Sequence, residues 1–258
     1  MENNNWIERL KLEYYYYTKR PWSLTDVGIF WDSVDDYDQI NEKLYTYFKR
    51  FTNTHEMIEK LNINLDDFKK ILDIQTRSGK GTKFWSEKLE DPEFHCVDFS
   101  NGLLEKARKR LKNIKNIHYE LVEKSNFNLN KIFDLILCYE TVEHVYDYDV
   151  FISSLAGHLK KDGIIILTCP NVSWEIIHWL TAIVGFNHSE GPHRFIRKKK
   201  LEEVFKQSRL QILSYNTTIF FPFNNKLSIK LDTLFTKYMP KYIKELIMLR
   251  HSYILKKQ

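Results

Sequence analysis

Ile71-Leu72-Asp73-Ile74-Gln75-Thr76-Arg77-Ser78-Gly79-Lys80-Gly81 reads as a strand, a tight turn and the start of a helix. A short apolar run ends in a carboxylate, and a turn containing glycine leads into the amphipathic segment 82–89. In doubly wound α/β folds a ligand lies across such a turn, outside the carboxyl ends of the strands. Alone the stretch is a weak signal, because a fingerprint turn carries more glycine than this one. Its weight comes from the segments around it.

Downstream, strand-like runs at 94–97, 117–121, 133–137, 163–167 and 210–215 alternate with helix-patterned segments at 103–112, 150–159 and 199–207. Together with the strand at 70–74, this alternation predicts a mostly parallel sheet with helices on both faces. Ser100 is placed to cap the second helix, and Asp162-Gly163 to close the third after its basic end. The β-prone Tyr253-Ile254-Leu255 predicts a last edge strand over 252–255. Upstream, residues 1–68 form an aromatic and charged cap with four consecutive tyrosines, Tyr14 to Tyr17. Ile40, Leu44, Tyr47, Phe48 and Phe51 have helical spacing, so a helix is expected over 37–51.

The chain has 258 residues, enough for one large domain with additions, and is 43% hydrophobic and 28% charged. A net charge of +5, from 39 basic and 34 acidic residues, tolerates an anionic substrate without arguing for nucleic acid. Cys96, Cys138 and Cys169 lie in or beside apolar runs with no metal-type spacing, which suits reduced thiols in a cytoplasmic protein. No apolar run reaches the roughly 18 residues of a membrane span.

In their order, these motifs resemble those of class I S-adenosylmethionine-dependent methyltransferases over about residues 70–209. The resemblance implies a doubly wound, seven-stranded Rossmann-like α/β sheet over 69–258. It also implies S-adenosyl-L-methionine as cofactor. Asp73, Gln75, Arg77 and Gly79 stand where that family has an acid and a glycine-rich loop around the methionine part. Asp98 ends the second strand, with Phe99 next to it, where a carboxylate takes the ribose hydroxyls. Glu123 falls where an acid meets the adenine amino group, and Tyr139 follows the fourth strand under the cofactor. The departure is at Gln75 and Arg77, where the family has glycine because backbone must approach the ligand and adopt positive φ. Arg77 is expected to pair with the methionine carboxylate; the alternative is that its bulk occludes the site, leaving a non-catalytic scaffold.

Cys138-Tyr139-Glu140-Thr141-Val142-Glu143-His144 follows the fourth strand, where substrate meets the transferable methyl in this fold. Glu140, Glu143 and His144 are the catalytic candidates, and offsets of three and four put them on one side of a helical turn. The imidazole can take a proton from an attacking hydroxyl. Alternatively, two carboxylates and an imidazole can hold a divalent cation such as Mg²⁺. The segment resembles quinone-biosynthesis O-methyltransferases and RNA 3′-terminal 2′-O-methyltransferases. In the latter a later histidine completes a metal site, the place His193 would take.

An insertion at about 171–195 contains the apolar stretch 174–186, a lid helix or a membrane-touching one. The region 216–250 is aromatic and basic and reads as a variable addition to the substrate pocket. The expected function is methyl transfer to an oxygen of a small or carrier-linked acceptor, such as a glycan sugar, a natural product or a quinone precursor. RNA 3′-end methylation is the alternative, against which stands the absence of a recognisable RNA-binding module. Peripheral membrane contact is a minor expectation, and oligomeric state is left open.

Overall fold

The computed structural model describes residues 6–34, 44–186 and 188–258. Seven strands form one sheet in the order β3-β2-β1-β4-β5-β7-β6. They are β1 (Lys70–Ile74), β2 (Glu93–Asp98), β3 (Ile117–Leu121), β4 (Phe133–Tyr139), β5 (Leu159–Pro170), β6 (Leu210–Thr218) and β7 (Arg250–Lys257). The first five run parallel, and β7 enters antiparallel between β5 and β6. The last strand is therefore interior to the sheet, and β6 is the edge. Tyr253, Ile254 and Leu255 are fully buried, which is why the run is continuously apolar where an edge strand would alternate.

Both faces of the sheet are covered. Along β4, Ile136 and Cys138 enter one core while Leu135, Leu137 and Tyr139 enter the other. The first core is closed by α2 (Leu24–Asp32), α6 (Tyr148–Gly157) and α8 (Lys198–Gln207). The second is closed by α3 (Tyr45–Lys60) and α4 (Lys80–Ser86). The element α5 (Asn101–Arg110) reaches both, through Leu103 on one side and Ala107 on the other.

Ser100 caps α5 as its sequence position implies, accepting from Leu103 N–H at 3.0 Å. The turn before β5 differs from expectation. The helix α6 stops at Gly157, and Leu159 to Asp162 already belong to the strand, with Asp162 at φ +68°. The expected helix over 37–51 is observed as Tyr45–Lys60, and residues 37–43 of that expectation lie outside the described residues.

The remaining helices lie around one end of the sheet. α1 (Trp6–Thr18) packs on α7 (Glu175–Ile183), the helix of the insertion. α9 (Lys226–Tyr238) and α10 (Lys241–Ile247) carry the variable region. The start of α2 is fixed by a capping box between Ser23 and Asp26, worth about 1 kcal/mol.

Candidate active site

The turn after β1 keeps a glycine-loop backbone without the glycines. Gln75, Arg77 and Gly79 have φ of +55°, +56° and +84°. For the two non-glycine residues this conformation costs about 1–2 kcal/mol each. The turn is held by Thr76 N–H donating to Val97 O at 2.9 Å and by Arg77 N–H donating to Asp98 Oδ2 at 2.7 Å. Asp73 serves the same turn: its Oδ2 accepts from Thr82 Oγ1 at 2.6 Å and Thr76 Oγ1 at 2.9 Å. Burial nevertheless pushes the Asp73 carboxyl up to about 6.

Asp98 closes β2 with no exposed surface. Its Oδ1 accepts from the N–H groups of Phe99 at 2.8 Å and Ser100 at 2.9 Å. Burial pushes its carboxyl up to about 6 despite these donors. Above it lies α2. A Cβ added at Gly28 would stand 1.9 Å from Phe99 O, so glycine is what lets this helix touch the β2–α5 turn. Asp32 Oδ1 then accepts from Ser100 Oγ at 2.6 Å and Gly102 N–H at 2.8 Å. The N-terminal cap thus covers the end of β2.

The other residues singled out in the cofactor region divide. Both polar atoms of the Gln75 amide are buried without a partner among the described residues, which fits a ligand. The Arg77 guanidinium donates to the Glu140 carbonyl, spanning from the β1 turn to the end of β4. Tyr139 faces the opposite core, and its hydroxyl meets Trp85 Nε1 at 2.9 Å and Thr54 Oγ1 at 2.9 Å. Its role is to join α3 and α4 to the sheet. Glu123 is exposed and takes no hydrogen bond among the described residues.

Beside this turn is a cavity of about 380 Å³ whose wall includes Arg77, Glu140, Glu143, His144 and His193. A single 3₁₀ turn, Val142–His144, carries Glu143 and His144 into it. His144 is 2% exposed. Its Nδ1 lies 3.3 Å from Pro192 O, and because a carbonyl only accepts, Nδ1 carries the hydrogen and Nε2 keeps its lone pair. Burial pushes this imidazole down to about 3, so it is neutral near pH 7. His193 is arranged alike, with Nδ1 2.8 Å from Gly191 O, and burial holds it down at about 4. Glu143 has one carboxylate oxygen buried without a partner. Burial, then the charge of Glu140, raises its carboxyl well above the ordinary range.

Several residues of this cavity carried no usable signal in the sequence. Glu190 Oε2 lies 3.9 Å from His144 Nε2, and Glu190 Oε1 lies 3.8 Å from His178 Nε2. Burial pushes the Glu190 carboxyl up, but His178 and the other imidazoles outweigh it and hold the group well below its usual range. Trp31 of α2 meets the His144 ring edge-on at 5.8 Å. Arg50 of α3 lies over the Tyr47 ring at 4.3 Å and is 6% exposed; the Glu140 carboxylate acts on it across the cavity, with no direct ion pair among the described residues. Such a guanidinium needs an anion to offset its desolvation. Phe186, Phe195, Pro222 and Phe223 supply an apolar wall. Residues of the insertion and of the variable region therefore line the cavity.

The donor set does not close around a divalent ion. Arg250 holds the Glu140 carboxylate at 2.9 Å, and Arg50 and Arg77 share the cavity. Among the described residues, Glu93, His95 and His118 do converge within ligand reach of one another, at the end of β2 opposite Asp98.

A methyltransferase-domain family model matches residues 72–165, from β1 into β5. The ubiquinone biosynthesis O-methyltransferase of Rickettsia typhi is 24% identical over 208 residues, covering 74% of this chain and 81% of that protein. The malonyl-[acyl-carrier protein] O-methyltransferase of Acetivibrio thermocellus is 26% identical over 132 residues, covering 51% of this chain and 46% of its own. The chain spans about half the length of several curated relatives it matches. A solved S-adenosylmethionine-dependent methyltransferase from Clostridium acetobutylicum superposes with a TM-score of 0.58 at 18% identity, over 86% of this chain and 98% of that one. The family model ends within β5, whereas the match to the Rickettsia typhi protein covers 74% of the chain and the fold match covers 86%. Residues 72–165 thus carry a methyltransferase domain, and the chain has the fold of the solved S-adenosylmethionine-dependent methyltransferases.

Proposed function

We propose that this chain transfers a methyl group to an oxygen of a small or carrier-linked acceptor held in the cavity beside the β1 turn. Bound S-adenosylmethionine would supply an electrophilic methyl on sulfur. The observation that carries the reading is His144: a buried, neutral imidazole with its Nε2 lone pair free, in the wall of a cavity at the end of β4. Nε2 accepts the acceptor's hydroxyl proton, and the Glu190 carboxylate 3.9 Å away stabilises the imidazolium that results. Glu143, whose carboxyl burial and the charge of Glu140 raise well above its usual range, faces the acceptor as a hydrogen-bond donor whenever it carries its proton. The aromatic wall excludes water and suits a ring or an acyl chain. Arg50 supplies the cation for the methionine carboxylate.

Two named relatives, one acting in ubiquinone biosynthesis and one on malonyl-[acyl-carrier protein], favour a quinone precursor or a carrier-linked acid over RNA. A divalent cation is the weaker reading, because Glu140 is already engaged by Arg250. The test is methyl transfer from labelled cofactor to catechol, sugar-nucleotide, carrier-linked and RNA acceptors. Transfer to RNA alone would sink the proposed acceptor class.

Arg77 bears on how well the cofactor binds. Arg77→Gly relieves a left-handed non-glycine residue and removes the guanidinium from the Glu140 carbonyl. The variant should gain about 1 kcal/mol in stability and bind S-adenosylhomocysteine more tightly by calorimetry. Weaker binding would show instead that the guanidinium grips the cofactor's carboxylate.

Two of the outer helices leave apolar side chains exposed. No helix is long and apolar enough to cross a membrane among the described residues. On α7, however, Ile176 and Leu180 stand exposed, as do Leu227, Leu234 and Tyr238 on α9, where Lys230 and Lys237 share the surface. An apolar face edged by lysines fits an anionic lipid surface. The protein should sediment with vesicles containing phosphatidylserine, and Lys230→Glu with Lys237→Glu should reduce that severalfold, at about 1 kcal/mol per charge. Equal sedimentation with neutral vesicles would remove the electrostatic part of this reading.

A further inference from the structure

Glu140 is the first acid of the E-x-x-E-H segment, the position at which the resemblance implies a metal ligand. Its carboxylate already has a cation. Arg250 Nε donates to Oε1 at 2.9 Å, and Arg250 Nη2 approaches Oε2 at 3.5 Å. Arg250 Nη1 donates to Thr46 O at 2.8 Å, so the guanidinium is tied to α3 as well. The backbone of Arg250 is fixed by register with Pro170 on β5 and Thr218 on β6. The side chain is 4% exposed. A guanidinium anchored on three sides is not a mobile counter-ion. A divalent ion needs carboxylate oxygens at about 2.0–2.6 Å, and would have to displace it while facing Arg50 and Arg77 across the same cavity.

We infer that Arg250 takes the place a divalent cation would hold at Glu140: it neutralises that carboxylate and positions the end of β4, so that methyl transfer proceeds without a metal. This rests on the reading of the cavity as the acceptor site. Arg250 is a positioning residue, acting through Glu140 and the segment that carries Glu143 and His144.

The experiment is Mn²⁺ uptake, read by the loss of the free-ion electron paramagnetic signal, in protein loaded with S-adenosylhomocysteine. Wild type should take up none in the cavity, and its activity should be the same with and without chelator. Arg250→Ala should bind one Mn²⁺, and adding Glu140→Gln to that variant should abolish the uptake. Its kcat should fall by about 10²-fold and recover in part with Mg²⁺. Uptake by wild type that Glu140→Gln abolishes would overturn the inference, and so would a folded Arg250→Ala that binds no Mn²⁺. Should Arg250→Ala not fold, Arg250→Gln keeps a donor for the Thr46 carbonyl while removing the charge, and is judged by the same uptake. Failure of the acceptor reading would show separately, as no transfer to any acceptor, because Mn²⁺ uptake needs no acceptor.

Discussion

Replacing His144 with alanine or glutamine should lower kcat by about 10²–10⁴-fold while leaving S-adenosylhomocysteine affinity unchanged. The loss is confined to turnover because the imidazole faces the acceptor cavity, whereas the backbone carbonyl of His144, which accepts from Trp22 Nε1 at 2.9 Å, survives the substitution. Glu190→Gln should lower kcat in the same direction by less, since it removes the carboxylate that stabilises the imidazolium but leaves the base. A His144→Ala enzyme with near-normal kcat would take the imidazole out of proton handling and turn attention to Glu143.

The pH profile adds a second readout. An ordinary imidazole, with a pKa of about 6.5, would give kcat an acid limb near neutrality. Burial holds His144 down at about 3, so the base is already neutral across the working range and kcat should be flat from about pH 5 upward. A limb near 6.5 in kcat would show that ligand binding opens the site and returns the imidazole to solvent.

Much of this was legible in the sequence, and the parts that were not have a common cause. The strand–turn–helix pattern after β1, the carboxylate at the end of β2 and the Ser100 cap are read along the chain, and the Asp98 and Ser100 side chains bond residues within three positions. The Glu143–His144 pair was readable for the same reason. Arg50, Glu190 and Arg250 reach the cavity from α3, from the insertion and from β7. Nothing local distinguishes them from surface charges, because what sets them apart is burial in the cavity wall. Tyr139 shows the reverse error. Its place at the end of β4 suggests a floor for the cofactor, but strand alternation turns it to the other face, where its hydroxyl meets Trp85 and Thr54. The last strand was read as an edge because sequence order placed it last, while the topology folds it back beside β5.

Asp98→Asn should weaken S-adenosylhomocysteine binding by about 1.5–3 kcal/mol, roughly 10- to 150-fold, since a charged acceptor for the ribose hydroxyls is replaced by a neutral amide. In the unliganded protein burial pushes this carboxyl from 3.8 up to about 6. A carboxyl raised in the folded state favours folding while protonated, so its contribution is full below 3.8 and is lost as pH rises to about 6. Above that pH the protein holds a buried carboxylate answered mainly by the N–H groups of Arg77, Phe99 and Ser100. Ribose hydroxyls would add donors to the ionised form, so binding and ionisation are linked. Affinity should therefore be constant above about pH 7 and fall as pH drops below 6, approaching tenfold per unit. Calorimetry in buffers of different ionisation heat should detect a proton released on binding near pH 5.5, and none in Asp98→Asn. Asp98 has no exposed surface and α2 lies over the turn that follows it, with Gly28 against Phe99 O and Asp32 bonded to Ser100 and Gly102, so a shift of α2 would give the ribose access. Binding should accordingly be slow, and faster in Asp32→Ala, which loses those two bonds. Wild-type binding that shows neither proton release nor a fall below pH 6 would mean the ribose is held elsewhere, and Asp98 would be left as a structural cap on the β1 turn.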